Sequence, residues 1–371
     1  MRTPHISRQR GFSLVEILIG MLIAMIGVVI MMEVLLTSDQ RTRTTTTGND
    51  ALSSGAVMMH MMQRDLVQAG YGINSMSLLG CNLTLPNAKV IPLAPVVINP
   101  AVALVAAGDP NTETMLIFYS SDNGQPEGNI VYAVDGLEYT MQAPSAFAVD
   151  DYVIASPGGC PTALSLARVT DVSALAVTVD TALAGATVLH NVGKVNNPPR
   201  IVAYRVKDNS LQACNYMTAD CSSNGAANWS AVAGDIVSLR AQYGHDTTAA
   251  MDGAIDDWDV RAPAAAVNAS CSWARTPAVR FALVARSSQY ESRINTGTGQ
   301  RECDTVTGAA PGWNGATDAI APIDAASAAP IDLTKKPDGT ANADWQCYRY
   351  RTFENIAPTR NVVWMGAQAG C

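Results

Sequence analysis

One apolar run of 25 residues, Phe12 to Leu36, sets the terms for this chain, because only Glu16 and Glu33 within it carry charge. At about 1.5 Å per residue the run makes roughly 37 Å of helix, enough to cross a hydrocarbon core of about 30 Å. A basic leader with Arg2, Arg8 and Arg10 and no acid precedes it. A secretory signal places a small-x-small cleavage site after its apolar core. Here the small residue, Gly11, stands before the run, so cleavage there leaves the helix on the mature chain. Arg41 and Arg43 lie past the far end beside Asp39, and the positive-inside rule favours a cytoplasmic N-terminus by a small margin. A carboxylate at Glu16 costs about 2.5–3.5 kcal/mol near a bilayer centre and less at the interface. Either it snorkels to water or it has a partner.

Gly11-Phe12-Ser13-Leu14-Val15-Glu16 resembles the class III signal of type IV pilins and pseudopilins. The resemblance implies cleavage after Gly11 by prepilin peptidase and methylation of the new N-terminus at Phe12. It also implies that Glu16 pairs with the N-terminal amine of a neighbouring subunit and sets axial register. A buried pair of that kind is better suited to fixing register than to adding stability. Glu33, near the outer end of the span, is expected to be solvated at the interface.

Lysine and arginine number 24 against 32 aspartate and glutamate, a formal charge of −8; loss of residues 1–11 removes three arginines and no acid, which makes it −11. Such a balance argues against a general nucleic-acid-binding surface. All eight cysteines lie beyond the apolar run, an arrangement that suits disulfides in an oxidising compartment. No CxxC pair or zinc-like Cys/His spacing occurs. Eight cysteines permit 105 pairings. Proximity suggests Cys214 with Cys221, and more weakly Cys81 with Cys160.

Beyond the membrane segment the helix is expected to continue as an amphipathic stem. Leu52, Met59, Met62, Leu66 and Ala69 share one helical face, with Gln63, Arg64 and Asp65 mostly elsewhere. The methionines around His60 read as packing residues rather than metal ligands. Thr44 to Gly48 is a weak patch, either a soft point or an ordinary exposed turn of helix. Gly70-Tyr71-Gly72 supplies the stop. After Cys81 the pattern turns to strands, at Thr114–Tyr119, Asp151–Ala155, Leu166–Thr170, Leu175–Val179, Ile236–Tyr243, Val279–Ala285 and Tyr348–Phe353. Ile201–Val206 and Leu211–Cys214 flank the turn-like Asp208-Asn209 and read as a hairpin. The expected fold is α+β and type IV pilin-like: a long N-terminal helix packed on a mainly antiparallel sheet domain. The expected organisation is a cleaved leader (1–11), a transmembrane helix (12–36), a stem helix (37–70) and an extracytoplasmic head (71–371). Long surface loops are expected near 244–270 and 304–340.

Four further blocks narrow the resemblance to the PilW family of minor pilins. Met62-Gln63-Arg64-Asp65-Leu66-Val67-Gln68-Ala69-Gly70-Tyr71-Gly72 resembles the end of that family's stem helix. Val279 to Ser287 followed by Glu291 resembles its central strand, and Gln242-Tyr243-Gly244 with Asp246 also fits. Tyr348 to Glu354, then Pro358-Thr359-Arg360-Asn361 and Trp364, resembles its C-terminal signature, with Thr359 where a leucine is expected. Such a resemblance implies a minor pilin that primes type IV pilus assembly and stays near the fibre tip. Its implied partners are prepilin peptidase, other minor pilins, the major pilin and the inner-membrane assembly platform. The alternatives are a GspJ-like minor pseudopilin of type II secretion and a tip adhesin.

Asp246, Asp252 and Asp256, with Asp257 and Asp259, surround Gly253. The stretch is either a calcium loop or a solvated acidic loop, and Thr248 and Ala250 stand where further oxygen ligands are wanted. No catalytic residue is expected: His60, His190 and His245 have no nucleophile motif nearby, and GxSxG, Walker A and HExxH are absent. No cofactor is implied.

Overall fold

The structure is a computed structural model that describes residues 13–121, 125, 127–158, 160, 163–263, 269–295, 297–303, 307–316, 330–368 and 370–371. The chain divides into two compact units, residues 1–50 and 51–371. Helix α1 runs over Leu14–Gln68, 55 residues, or about 82 Å. The Thr44–Gly48 patch stays helical. Each β-branched residue costs only a fraction of a kcal/mol, and no proline interrupts the run.

From Leu14 to Leu36 the helix is exposed and apolar on every side, 23 residues long and apolar enough to cross a membrane. After Gly55 one face becomes buried, with Met58, Met59, Met62 and Leu66 at helical spacing. His60 between them is exposed. Two sequence assignments are corrected here. Leu52 is exposed, and Asp65 belongs to the buried face at 1% exposure. Gly55 itself is a contact point, since a methyl group there would overlap the ring of Phe353. Gly70 and Gly72 end the stem with φ of +80° and +78°, a region closed to most side chains.

The head begins with a short hairpin, β1 (Asn82–Thr84) and β2 (Val90–Pro92), followed by β3 (Val96–Ile98) and β4 (Met115–Tyr119). Six strands come next: β5 (Asn129–Asp135), β6 (Glu138–Met141), β7 (Asp151–Ser156), β8 (Leu164–Val172), β9 (Ala176–Val179) and β10 (Val188–Lys194). They pair antiparallel in the order β8-β7-β10-β5-β6-β9, and β9 returns to β8, closing a small barrel. Alternate residues point inward: Tyr139 and Met141, Val153 and Ala155, Ala167 and Val169, Val177 and Val179. Together they make a core of their own. The sequence pattern shows three of these strands as parts of one sheet. Closure depends on β5, β6 and β10, and on β5 Ile130, Tyr132 and Val134 face solvent and mask the alternation. β1 joins the barrel through a parallel pairing with β8.

The barrel is an insertion between two strands that pair directly. β11 (Arg200–Lys207) runs antiparallel to β4 with Arg200 opposite Tyr119. β12 (Ser210–Asn215) and β13 (Ser230–Gly234) complete a sheet of order β13-β12-β11-β4-β3. The β11–β12 hairpin turns through Asp208 and Asn209, both at positive φ, as a two-residue turn requires.

The last sheet has the order β15-β14-β16-β19, from β14 (Ile236–His245), β15 (Asp257–Asp259), β16 (Ala278–Arg286) and β19 (Tyr350–Pro358). The hairpin β17 (Ser292–Ile294) and β18 (Arg301–Cys303) stands apart, and α2 (Ala269–Ala274) and α3 (Arg360–Val363) are short. β16 is buried on both faces, which explains its apolar run from Phe281 to Ala285. Val279, Phe281 and Leu283 face the main core, while Ala282 and Val284 pack with Trp313, Ile331 and Leu333. The stretch near 304–340 is therefore not wholly a surface loop, because part of it covers a sheet face. Likewise β15 gives the 244–270 region a paired strand. Residues 264–268, 304–306 and 317–329 lie outside the described residues.

Candidate functional site: the maturation segment and the stem junction

Gly11 and Phe12 lie outside the described residues. The helix begins at the next position. The Ser13 carbonyl accepts from the amides of Glu16 and Ile17 at 3.0 and 3.2 Å, so Ser13 stands at the N-cap. Glu16 is exposed in the first turn, where the helix dipole favours a negative charge.

The far end of α1 is fastened by a buried carboxylate. Tyr204 donates to Asp65 at 2.7 Å and Tyr119 donates to it at 3.1 Å, with the Arg64 guanidinium 3.5 Å away. Burial, then the Asp65 charge, raises the pKa of both tyrosines, so they remain hydroxyl donors. One turn later Asn361, at the start of α3, donates from Nδ2 to the carbonyls of Gln68 and Ala69, both at 3.0 Å. The Gln68 carbonyl also accepts from the Tyr71 amide at 3.1 Å, and the side-chain amide completes the bonding of the two carbonyls at the helix end. Two of the PilW-like blocks, 293 positions apart in sequence, thus meet at one junction.

The other blocks also meet. Gln242 accepts from Arg280 Nε at 2.6 Å, and the Tyr243 hydroxyl accepts from the Ile98 amide at 2.5 Å. Gly244 lets the Trp258 ring lie close to the strand. Arg349 holds Glu291 through two bonds of 2.6 and 3.0 Å, joining the central-strand block to the C-terminal one.

Comparison with known families gives two matches. The family described as Type IV Pilus-assembly protein W matches residues 202–361. Over that stretch the chain is similar to the PilW family. The Prokaryotic N-terminal methylation motif matches residues 6–32. No curated protein and no solved structure matches the chain.

The PilW match runs from β11 to Asn361, and the barrel, residues 129–194, lies outside both matched ranges. Four disulfides stitch the head: Cys81–Cys160, Cys214–Cys221, Cys271–Cys371 and Cys303–Cys347. Cys214–Cys221 closes a small loop after β12, and Cys271–Cys371 ties α2 to the last residue of the sequence.

The acidic loop uses its carboxylates on itself. Asp246 accepts from the amides of Thr248, Asp252 and Gly253 at 3.2, 2.8 and 2.7 Å, and Arg275 Nη1 lies 3.3 Å away. Burial opposes the charge, but these bonds and the Thr248 hydroxyl hold the carboxyl below its ordinary range. Asp256 accepts from Thr247 and Thr248, and Asp252 from Ala254. The three aspartates point their oxygens at N–H donors, and among the described residues no group of three or more His, Cys, Asp or Glu is placed to hold a metal ion.

Asp65 and Asn361 are the site residues that sequence periodicity did not single out. The signal for Asp65 was its position, one residue before Leu66 and three after Met62 on a face that is otherwise apolar. Asn361 was visible only as part of a family block.

Proposed function

We propose that this chain is a minor pilin that primes assembly of the type IV pilus and remains in the fibre near its tip, in complex with other minor pilins. What carries the reading is the presence, in one chain, of a prepilin methylation motif on an exposed apolar helix and a PilW match over residues 202–361 of the head. Prepilin peptidase cuts after Gly11, and the mature N-terminus is Phe12. The apolar half of α1 anchors the chain in the inner membrane with its N-terminus cytoplasmic and the head, residues 71–371, outside. On release into the fibre the same half joins the filament core, where Glu16 meets the terminal amine of a neighbour. The disulfides fit a head that matures in an oxidising compartment.

The test is a clean deletion, with and without removal of the retraction motor, scored by surface pili. Few pili in the single deletion, partly restored when retraction is blocked, is the result expected of an assembly primer. Normal pili in both strains would transfer the assignment to secretion or adhesion.

A further inference from the structure

Beside the Asp65–Asn361 junction lies an open cleft of about 710 Å³. Its walls come from four separate places: Arg64 on the stem, Tyr71 after it, Tyr119 with Arg200 across the β4–β11 pair, and Arg360 with Trp364 around α3. Trp364 is 76% exposed and the Arg64 side chain 57% exposed. Among the described residues no acid lines this cleft; Asp65, beside Arg64, is buried and already bonded to two tyrosines, so three guanidiniums line the cleft without a carboxylate on its wall. Glu127 and Trp364 both line an adjoining hollow.

This composition is unusual for a chain of formal charge −8. Arginine, tyrosine and tryptophan are the side chains that dominate protein–protein hot spots, and here they converge on one concavity. Guanidiniums select carboxylates by paired N–H donors, and an exposed indole offers a flat apolar anchor next to them. A nucleic acid, with one charge per about 1.7 Å of duplex, asks for a long basic track, which an acidic protein opposes. A short acidic peptide segment needs only a local cluster. We propose that the cleft receives an acidic segment of a different pilus subunit, docking that neighbour against the end of the stem. The proposal rests on the subunit reading above. It adds to it which face makes the contact and the charge of the partner. Arg64, Arg200 and Arg360 grip carboxylates, and Trp364 covers the apolar part of the segment.

The test uses the full chain in pilus-producing cells, with a benzophenone amino acid replacing Gln68, an exposed residue of the cleft wall. Irradiation is expected to give an adduct with another pilin, and mass spectrometry should place the crosslink beside aspartate or glutamate. Arg200→Glu with Arg360→Glu should lower the adduct about tenfold, the loss expected for charge-assisted bonds. The Arg360→Gln variant should lower it less, and Arg168→Glu on the barrel should leave it unchanged. A non-reducing gel verifies that the disulfides have formed in each variant. An adduct that ignores arginine reversal overturns the proposal. So does one that joins two copies of this chain, maps to a segment without acids or forms on nucleic acid, and so does the absence of any adduct in fibres that contain the chain. Absence of the unmodified chain from sheared pili would sink the subunit reading and this proposal together. Presence there, with the adduct indifferent to the arginines, sinks the proposal alone.

Discussion

The hydroxyl of Tyr204, in the middle of β11, reaches the carboxylate of Asp65 on the stem helix at 2.7 Å, across 139 positions of sequence. Tyr119 on the neighbouring strand donates to the other oxygen at 3.1 Å. Two adjacent strands therefore hold one helical residue, and the helix end cannot rotate without stranding three buried polar groups. Asp65→Ala leaves both hydroxyls without an acceptor and should cost roughly 2–4 kcal/mol, more than Tyr204→Phe at about 2 kcal/mol. Thermal unfolding of the full chain in detergent, followed by circular dichroism, checks the order. A Tyr204→Phe protein less stable than Asp65→Ala would show that the carboxylate is not the centre of the cluster.

Asn361 acts on the same helix from the opposite end of the chain. Its amide satisfies the carbonyls of Gln68 and Ala69, so Asn361→Ala should lose about 1–2 kcal/mol. Asn361→Asp keeps the shape but presents an anion to two carbonyls at the negative end of the helix dipole. It should be the worse of the two despite being the smaller change. Hydrogen exchange at residues 66–72 supplies the local readout, with faster exchange in the aspartate variant than in the alanine one. Equal exchange in both would remove the electrostatic part of this account.

Glu113 gives a pH dependence with a definite sign. It is buried before β4, with Arg240 Nε 3.2 Å from its carboxylate. Burial pushes the carboxyl up to about 7, against the pull of Arg240 and of the Ala241 amide. Asp332 adds its own charge near Arg240. The folded state therefore holds a proton between pH 4.5 and about 7 that the unfolded chain has released. The contribution of this group is fully present below the unfolded value and is lost as pH rises through about 7, up to about 3 kcal/mol. Glu113→Gln should flatten that part of the stability profile. Denaturant midpoints taken at about pH 4.5 and about pH 8 read the difference. An unchanged slope in the variant would assign the dependence to other groups.

Some of this architecture was open to inspection in the sequence and some was closed. The stem was legible because Met59, Met62 and Leu66 repeat at helical spacing and no proline intervenes. The β11–β12 hairpin was legible because Asp208 and Asn209 tolerate positive φ between two apolar runs. The barrel was not, because its outer face is apolar at Ile130, Tyr132 and Val134, so alternation fails where it is most needed. Closure, moreover, needs pairings between strands far apart in sequence, β10 with β5 and β6 with β9, that no local pattern encodes. The burial of Leu333 and Trp313 was hidden by the alanine, proline and glycine around them. At the junction the family blocks marked which residues matter. They did not say that Asp65 and Asn361 secure the end of one helix, since that depends on contacts over hundreds of positions.

Glu16 remains the residue on which the assembly reading turns. It sits exposed in the first turn of α1, three positions after the N-cap Ser13. A carboxylate is the wrong group for a lipid-facing position unless something compensates, and replacing it with alanine makes insertion easier. Glu16→Ala is therefore expected to reach the membrane and lose its leader normally, yet to appear in sheared pili at a reduced level. Glu16→Gln, which keeps the shape without the charge, should fall with it if attraction to a neighbour's amine is the operative term. Membrane-fraction and sheared-pilus immunoblots from the same culture separate the two steps. Normal amounts of both variants in the pili would leave the carboxylate with an interfacial role and no part in register.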